Sequence, residues 1–574
     1  MDRKVNKRMK KTLFALICLS MASLGFVGGL WVAGYKMTPF MFSTKQKSVR
    51  YIPETADLGA YLAGVLARNN QDVEEAALYY QQAYLGDPTN PALIRETYFL
   101  SGLVGHFDFF MQTAQQMADF ENSYYAPFFW AADAVKQGDY SAALKATPLF
   151  NSPDYVQGVL YAVIRAWSHA ALGNKIRAFQ ALSVLKDNNE TLGAYWYQRA
   201  LIAIYLGQKQ TAKEAFEQLV PLEMPTVTSL MAARWFYLSI NEWTDENAMK
   251  QKYDQAVQNN KALGELLITR ADEFKSVSPE KGIADVFFLI STVLDDQGKT
   301  AETGLMFNRL ALYLAPNCNV YKIWGGEQFE SISYYADANR LYDTVTPPSE
   351  TVLLKKALNL ILMKQMDEAE RILIELSQRI PSHTLLATIL GNLYRDTERP
   401  ELAEQKYSWV LSHLPQDDKK EKAHVYFLRA IVQNKMGRNQ DRDDSLQQAL
   451  SLTPDNAEIL NYLGYMWLNE QKDVQQAMKY ILQAYQLMPK EPHIWDSVAW
   501  GYYKQGNHET ALNYAEKAAD KMPYSALVQS HLGDIYWALG RKREAGYQYH
   551  KALNLKEDMT EELKVELNHK LSER

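Results

Sequence analysis

Asp496 and Asp534 are the two carboxylates of this 574-residue chain that stand among side chains suited to a site, with Trp500, Tyr503 and Trp537 close by in sequence. A carboxylate pair flanking a bond can act as general acid and base, as in glycoside hydrolysis. Indole and phenol rings can stack on sugar faces or hold Lys and Arg cations. Nothing else of an active site accompanies the two carboxylates, so binding is the better reading. The chain has no His-Glu-x-x-His pair, no Gly-x-x-x-x-Gly-Lys phosphate loop, no Gly-x-Ser-x-Gly elbow and no calcium loop. Its ten histidines are scattered singly, and His508, His531 and His550 read as surface or seam residues. Cys18 and Cys318 are far apart and are the only cysteines, which leaves neither a disulfide framework nor a thiolate metal knuckle. The expectation is a non-enzyme without cofactor or metal.

The elements that must position these residues follow from a period. A turn-forming residue recurs at Gln71, Gly105, Gly138, Gly173 and Gly207, and again at Gly298, Ser333, Lys364, Glu398, Gly437, Lys472, Gly506 and Gly540. Steps within each run are mostly 34 or 35 residues. Self-similarity at this spacing predicts stacked helical hairpins. In Pro492–Met522, Trp495, Val498, Ala499 and Tyr502 share one helical stripe, Gly506 breaks the chain, and a second helix carries Ala511, Ala515 and Ala518. Pro523 then stops it. The next unit repeats the scheme with Leu532, Gly533, Tyr536, Ala545, Tyr549 and Ala552, and an earlier one with Leu390, Gly391, Tyr394, Ala403, Tyr407 and Pro415. Small residues let paired helices approach, while large ones fill the gap to the next hairpin. Trp495, Tyr394, Tyr407, Tyr502 and Tyr536 are therefore expected to be core.

These units resemble the tetratricopeptide repeat over about residues 57–557, most closely in the second half. Residues 279–557 also look like one family of alphaproteobacterial repeat proteins of poorly defined role, on stretches such as Leu460-Asn-Tyr-Leu-Gly-Tyr465 and His531-Leu-Gly-Asp-Ile-Tyr-Trp537. The resemblance implies an all-α, right-handed superhelical solenoid of about 13 hairpins. It also implies a concave groove lined by first-helix residues that do not pack. On this chain those are Thr388, Asn392 and Arg395, then Asn461 and Tyr465, then Asp496, Trp500 and Tyr503, then Ser530, Asp534 and Trp537. The Lys, Asn and Arg pattern by which the chaperone-tail type of repeat clamps a terminal carboxylate is absent from these positions. Aromatic faces with an acidic rim instead suit a protein or peptide ligand bearing apolar and basic residues. The same rings suit a sugar polymer, so a carbohydrate-associated scaffold for polysaccharide export or envelope biogenesis is the alternative. Trp500 and Trp537 have a third reading, as residues completing the seam between hairpins.

Thr12–Tyr35 is 24 residues without a charge, about 36 Å as a helix and long enough for a bilayer core of roughly 30 Å. The basic flank 1–11 should stay in the cytoplasm, which puts the repeats of a single-pass bacterial inner-membrane protein in the periplasm. A signal peptide cleaved near Val32-Ala33-Gly34, followed by release into the periplasm, is the rival. Gly25, Gly29 and Ala33 recur every four residues, a stripe through which two membrane helices could self-associate. Six of the 61 Lys and Arg and one of the 67 Asp and Glu lie in residues 1–35, leaving the remainder at −11. An acidic body repels phosphate backbones, so no nucleic-acid partner is expected. Residues 36–56 read as a tether, 57–220 as a first lobe and 221–279 as degenerate repeats. Residues 280–557 read as a second lobe, with a charged insertion at Gln416–Lys422 as a surface loop, and 558–574 as a capping helix. A membrane-anchored scaffold or adaptor of the cell envelope, working through protein–protein contacts, is the function this organisation implies.

Overall fold

The computed structural model describes residues 57–120, 126–147, 155–222, 227–259, 277–295, 301–555 and 559–572. The apolar segment with Gly25, Gly29 and Ala33, the tether and the turn at Gly298 lie outside them. Among the described residues all regular structure is helical, as expected. The predicted turn positions carry positive φ at Gln71, Gly105, Gly138, Gly173, Gly207, Ser333, Lys364, Glu398, Gly437, Gly506 and Gly540. Each ends a first helix in the left-handed conformation that reverses the chain. One turn falls at Gln471 rather than Lys472, and a further one at Asn241. The Gln416–Lys422 insertion is only partly loop, because Asp418 caps a helix that begins at Lys419.

Two compact units divide between Lys364 and Gln365, whereas the sequence places the lobe boundary near 279. The first unit opens with five hairpins: α1 (Leu58–Asn69) with α2 (Val73–Gly86), α3 (Pro91–Val104) with α4 (Phe107–Phe120), α5 (Ala126–Lys136) with α6 (Tyr140–Ala146), α7 (Tyr155–Ala171) with α8 (Lys175–Leu182), and α9 (Asn189–Tyr205) with α10 (Lys209–Leu219). Then come α11 (Val227–Ser239), α12 (Ala248–Asn259), α13 (Pro279–Asp295), α14 (Ala301–Leu314), α15 (Asn319–Ser331), α16 (Tyr335–Asp343) and α17 (Glu350–Leu362).

This unit is not a simple stack, in which each repeat touches only its neighbours. α13 lies against α5, α7 and α9, and α14 against α3 and α5. The lane along the first helices of the opening hairpins is therefore filled by the chain itself. Gly282 permits it: a Cβ there would stand 2.1 Å from the ring of the fully buried Trp167. Trp167 Nε1–H donates to Gln198 (2.6 Å), and Gln198 Nε2–H donates to the Gly282 carbonyl (3.1 Å). Tyr197 and Tyr321 both donate hydroxyl protons to the buried Asp285. Arg309 on α14 donates to the Leu103 carbonyl at 2.9 Å. Farther along, Asp337 of α16 accepts the N–H groups of Val73 and Glu74 at 3.1 Å each, and Arg340 pairs with Asp72 at 2.7 Å. A carboxylate more than 260 residues away thus satisfies free donors at the start of α2. One buried core runs from Ala60 to Val352. These long-range contacts move the unit boundary past residue 343.

Two outcomes test this closure. Gly282→Val forces a side chain into Trp167, and overpacking of this kind costs about 1–3 kcal/mol; a thermal midpoint within a degree of wild type would show that α13 does not lie on the indole. The Asp337 carboxyl is pushed up to about 6 by burial, which outweighs its two N–H bonds and Arg340. A folded value above the unfolded one favours the protonated form, so this stabilising contribution is complete below about pH 4 and lost as pH rises through about 6. Between pH 4 and 7 wild type should lose on the order of 1–3 kcal/mol relative to Asp337→Asn, which cannot titrate. Denaturant midpoints falling in parallel for the two proteins would contradict it.

Candidate functional site

The second unit comprises α18 (Met366–Arg379), α19 (Thr384–Asp396), α20 (Pro400–His413), α21 (Lys419–Lys435), α22 (Asn439–Leu452), α23 (Ala457–Asn469), α24 (Val474–Leu487), α25 (Pro492–Lys504), α26 (His508–Lys521), α27 (Ala526–Ala538), α28 (Lys542–Leu553) and α29 (Glu561–Ser572). Within a hairpin the approach is set by a glycine under an aromatic ring. A Cβ on Gly391 would stand 2.5 Å from Tyr407, and one on Gly533 2.4 Å from Tyr549. That closeness brings α23, α25 and α27 side by side. Asn461, Asp496 and Ser530 then share one level of the wall, Tyr465, Trp500 and Asp534 the next, and Tyr503 and Trp537 the third.

The wall differs from the expected acidic, aromatic groove. Asp496 is 5 % exposed and Asp534 8 %, and both carboxylates have partners within the chain. His531 Nδ1 lies 2.9 Å from Asp496 Oδ2, positioned for the imidazole N–H to donate. Tyr549 donates its hydroxyl to Asp534 Oδ1 (2.7 Å), and Lys570 of α29 reaches the same carboxylate at 2.8 Å. Burial pulls the Lys570 ammonium down, but Asp534 and Glu566 more than offset it and leave it raised. The expected acidic rim differs in that both carboxylates are buried in the wall, Asp534 against Lys570 and Asp496 with Oδ2 on His531 and Oδ1 without a hydrogen-bond partner. Trp500 is nine-tenths buried and serves the seam. It stacks on His531 at 4.1 Å and on Tyr503 at 4.9 Å, and donates Nε1–H to Asn469 Oδ1 at 2.7 Å. Asn461 is buried too. Tyr465 is half-buried, with its hydroxyl pushed up to about 12 by burial. Asn392 accepts the Tyr407 hydroxyl at 2.8 Å, and Arg395 donates to Asp396 at 2.8 Å. Tyr503 and Trp537 keep part of their surface open, with Lys542 4.9 Å above the Trp537 ring.

His531, Asn469 and Lys570 complete this wall and were not among the expected groove residues. The 35-residue step from Asp496 to His531 was the available signal, since a one-residue advance turns His531 back toward the preceding helix. A second cluster also went unread. Arg442 is fully buried and donates to Asn434 (2.9 Å), Asp443 (2.7 Å) and Glu470 (2.9 Å). Asp443 also accepts from Trp467 and Lys472, each at 2.7 Å. Burial raises the Asp443 carboxyl, but Lys472, Arg442 and Trp467 together hold it below its usual range. Every charge here is answered, so the cluster is architecture.

A series of helical hairpins with a stitched inner wall defines a repeat scaffold, a class that works by presenting surface to other proteins. Family profiles described as tetratricopeptide repeat match residues 435–492, 499–560 and 193–222. Those stretches of the chain are tetratricopeptide repeats. A tetratricopeptide repeat-containing protein of Pseudomonas aeruginosa is 29 % identical over 177 residues, 30 % of this chain and 29 % of that protein, so the match spans under a third of that relative. Among solved structures, the APC/C hetero-tetramer Cut9–Hcn1 is similar over 90 % of this chain and 96 % of that chain (15 % identity, TM-score 0.36). A tetratricopeptide repeat protein from Parabacteroides merdae is similar over 44 % and 98 % (14 % identity, TM-score 0.37). Pseudomonas aeruginosa PilF is similar over 39 % and 97 % (17 % identity, TM-score 0.32).

Arg442→Ala should destabilise the protein by about 3–5 kcal/mol, because Asp443 and Glu470 would lose their buried counter-charge. Chemical denaturation followed by far-UV circular dichroism checks it; a loss below 1 kcal/mol would mean that water already reaches the cluster.

Proposed function

We propose that this protein is an adaptor of the bacterial cell envelope, tethered to the inner membrane by residues 12–35 and holding a protein partner against the inner wall of its C-terminal repeats. Tetratricopeptide repeat proteins generally mediate protein–protein interactions, and the finer reading rests on residues of this chain. The observation that carries it is the half-open pair Tyr503 and Trp537, one repeat apart on the third level of the wall. Aromatic anchors of this kind supply most of the affinity in protein recognition. With Asp496 and Asp534 buried, selectivity for a basic partner falls to Glu561, Glu562 and Glu566 of α29, which line a shallow depression with Val565 and His569. The occupant is an apolar segment bearing Lys or Arg, laid in the groove as a helix or an extended peptide. The uncharged run after a basic flank supports the anchor, with the repeats on the periplasmic side.

The test uses in-cell crosslinking with the full chain. Tyr503→Ala with Trp537→Ala should reduce recovery of the crosslinked partner by about tenfold or more, the loss expected of an anchor pair, while circular dichroism stays unchanged. Equal recovery removes the groove assignment. Recovery of a polysaccharide instead of a protein would favour the carbohydrate-scaffold alternative. A mature N-terminus beginning near residue 35 would replace the anchor with a cleaved signal.

A further inference from the structure

After the fifth hairpin the repeat pattern lapses, and the chain there builds a hollow in place of a regular seam. α10, α11 and α12 all contribute to one cavity of about 420 Å³, within the ~300–1,000 Å³ usual for small-molecule sites. The loop that joins α11 to α12 shapes it. Asn241 takes a positive φ of 57°, and the Glu242 N–H donates to the Tyr237 carbonyl at 2.9 Å. Asn247 then fixes the loop: its Nδ2–H donates to the Glu242 carbonyl at 2.6 Å, and its Oδ1 accepts from the Met249 N–H at 2.7 Å. Lys213 of α10 pairs with Glu242 at 2.8 Å and ties the loop to the preceding hairpin.

Three groups around this cavity have no partner among the described residues. The Tyr237 side chain is 1 % exposed, yet its hydroxyl meets no hydrogen-bond partner. Leaving a buried hydroxyl unpaired is costly. Burial pushes that hydroxyl up, and Glu217 and Glu242 push it further, so it lies on the carboxylate side of the cavity and keeps its proton. Glu217 of α10 and Lys252 of α12 line the cavity as exposed residues and enter no ion pair there. With Lys213 and Glu242 answering each other, one anion, one cation and one neutral hydroxyl remain, each from a different helix. A simple anion would meet Lys252 but also both carboxylates. A simple cation would meet Glu217 but also both ammonium groups. A molecule that carries both charges meets neither conflict.

We propose that this cavity binds a small zwitterion with an apolar side chain, a free amino acid or a short peptide. Glu217 and the Tyr237 oxygen accept from its ammonium, Lys252 pairs with its carboxylate, and its side chain packs on Met249. Because three helices each supply a group, the bound molecule would tie α10, α11 and α12 together where the repeats are least regular. The site lies within the first unit and is independent of the adaptor reading.

The test is isothermal titration calorimetry on the full chain in detergent. Four probes are compared: leucine, leucyl-leucine, 3-methylbutylamine for the ammonium alone and 4-methylpentanoate for the carboxylate alone. One zwitterion should bind about tenfold or more tightly than either one-ended analogue, the loss expected when a charge-assisted bond is missing. Whichever zwitterion binds more tightly identifies the source. Tyr237→Phe keeps the ring and should weaken binding about tenfold, with the thermal midpoint of the ligand-free protein no lower than wild type, because the hydroxyl has no partner to lose. Glu217→Gln and Lys252→Met, both at exposed positions, should each weaken it by a similar factor. Failure of both zwitterions to bind at millimolar concentration overturns the proposal. Equal affinity for a one-ended analogue overturns it, as does unaltered binding by Tyr237→Phe. A ligand-free Tyr237→Phe protein that melts lower than wild type overturns it too, since the hydroxyl would then serve the fold.

Discussion

A backbone without a side chain, lying directly on an aromatic ring, is the contact on which these helices depend. Gly391 lies under Tyr407, Gly533 under Tyr549 and Gly326 under Tyr342, with a hypothetical Cβ at 2.5, 2.4 and 2.2 Å. Each pairing lets two helices of a hairpin touch closely enough for the next hairpin to find its seat. The first unit uses the same device across a long stretch of chain. Gly282 on Trp167 lets α13 settle onto first helices that lie more than 80 residues earlier. Interiors are packed to near-crystalline density, so one added methyl at any of these places has no empty volume to enter.

Charge in this protein mostly organises the fold. Arg442 with Glu470, Lys570 with Asp534, and Arg340 with Asp72 each join different helical segments. A buried ion pair is seldom worth more than a well-packed apolar pair, but losing one partner is costly. Such pairs therefore fix which helix meets which more than they add stability. The same economy removes Asp496 and Asp534 from the pool of groups able to greet a ligand. Of the aromatic side chains on the inner wall of the second unit, Tyr503 and Trp537 keep part of their surface open.

Much of this was legible in the chain. The 34-residue spacing, the turn residues and the glycine and aromatic positions of each hairpin are local facts, and eleven of the expected turns appear with positive φ. Buried and exposed sides of individual helices also followed, because a stripe at helical spacing has only one face to bury. The groove was less legible. Its expected residues recur at repeat spacing, but the fate of Asp496, Trp500 and Asp534 depended on His531, Asn469 and Lys570, which come from other helices. Periodicity says which residues face inward and is silent on what they meet there.

The sequence by itself determined the class of fold, the hairpin register and the absence of a recognisable catalytic motif, since each depends on residues within one repeat length. Only the tertiary structure decided that the first lane is filled by α13 and α14 and that the wall carboxylates are buried. Those outcomes depend on pairs such as Gly282 with Trp167 and Asp337 with Val73, between 115 and 264 residues apart. Contacts at that range depend on which distant helices come to lie side by side, which no single repeat specifies.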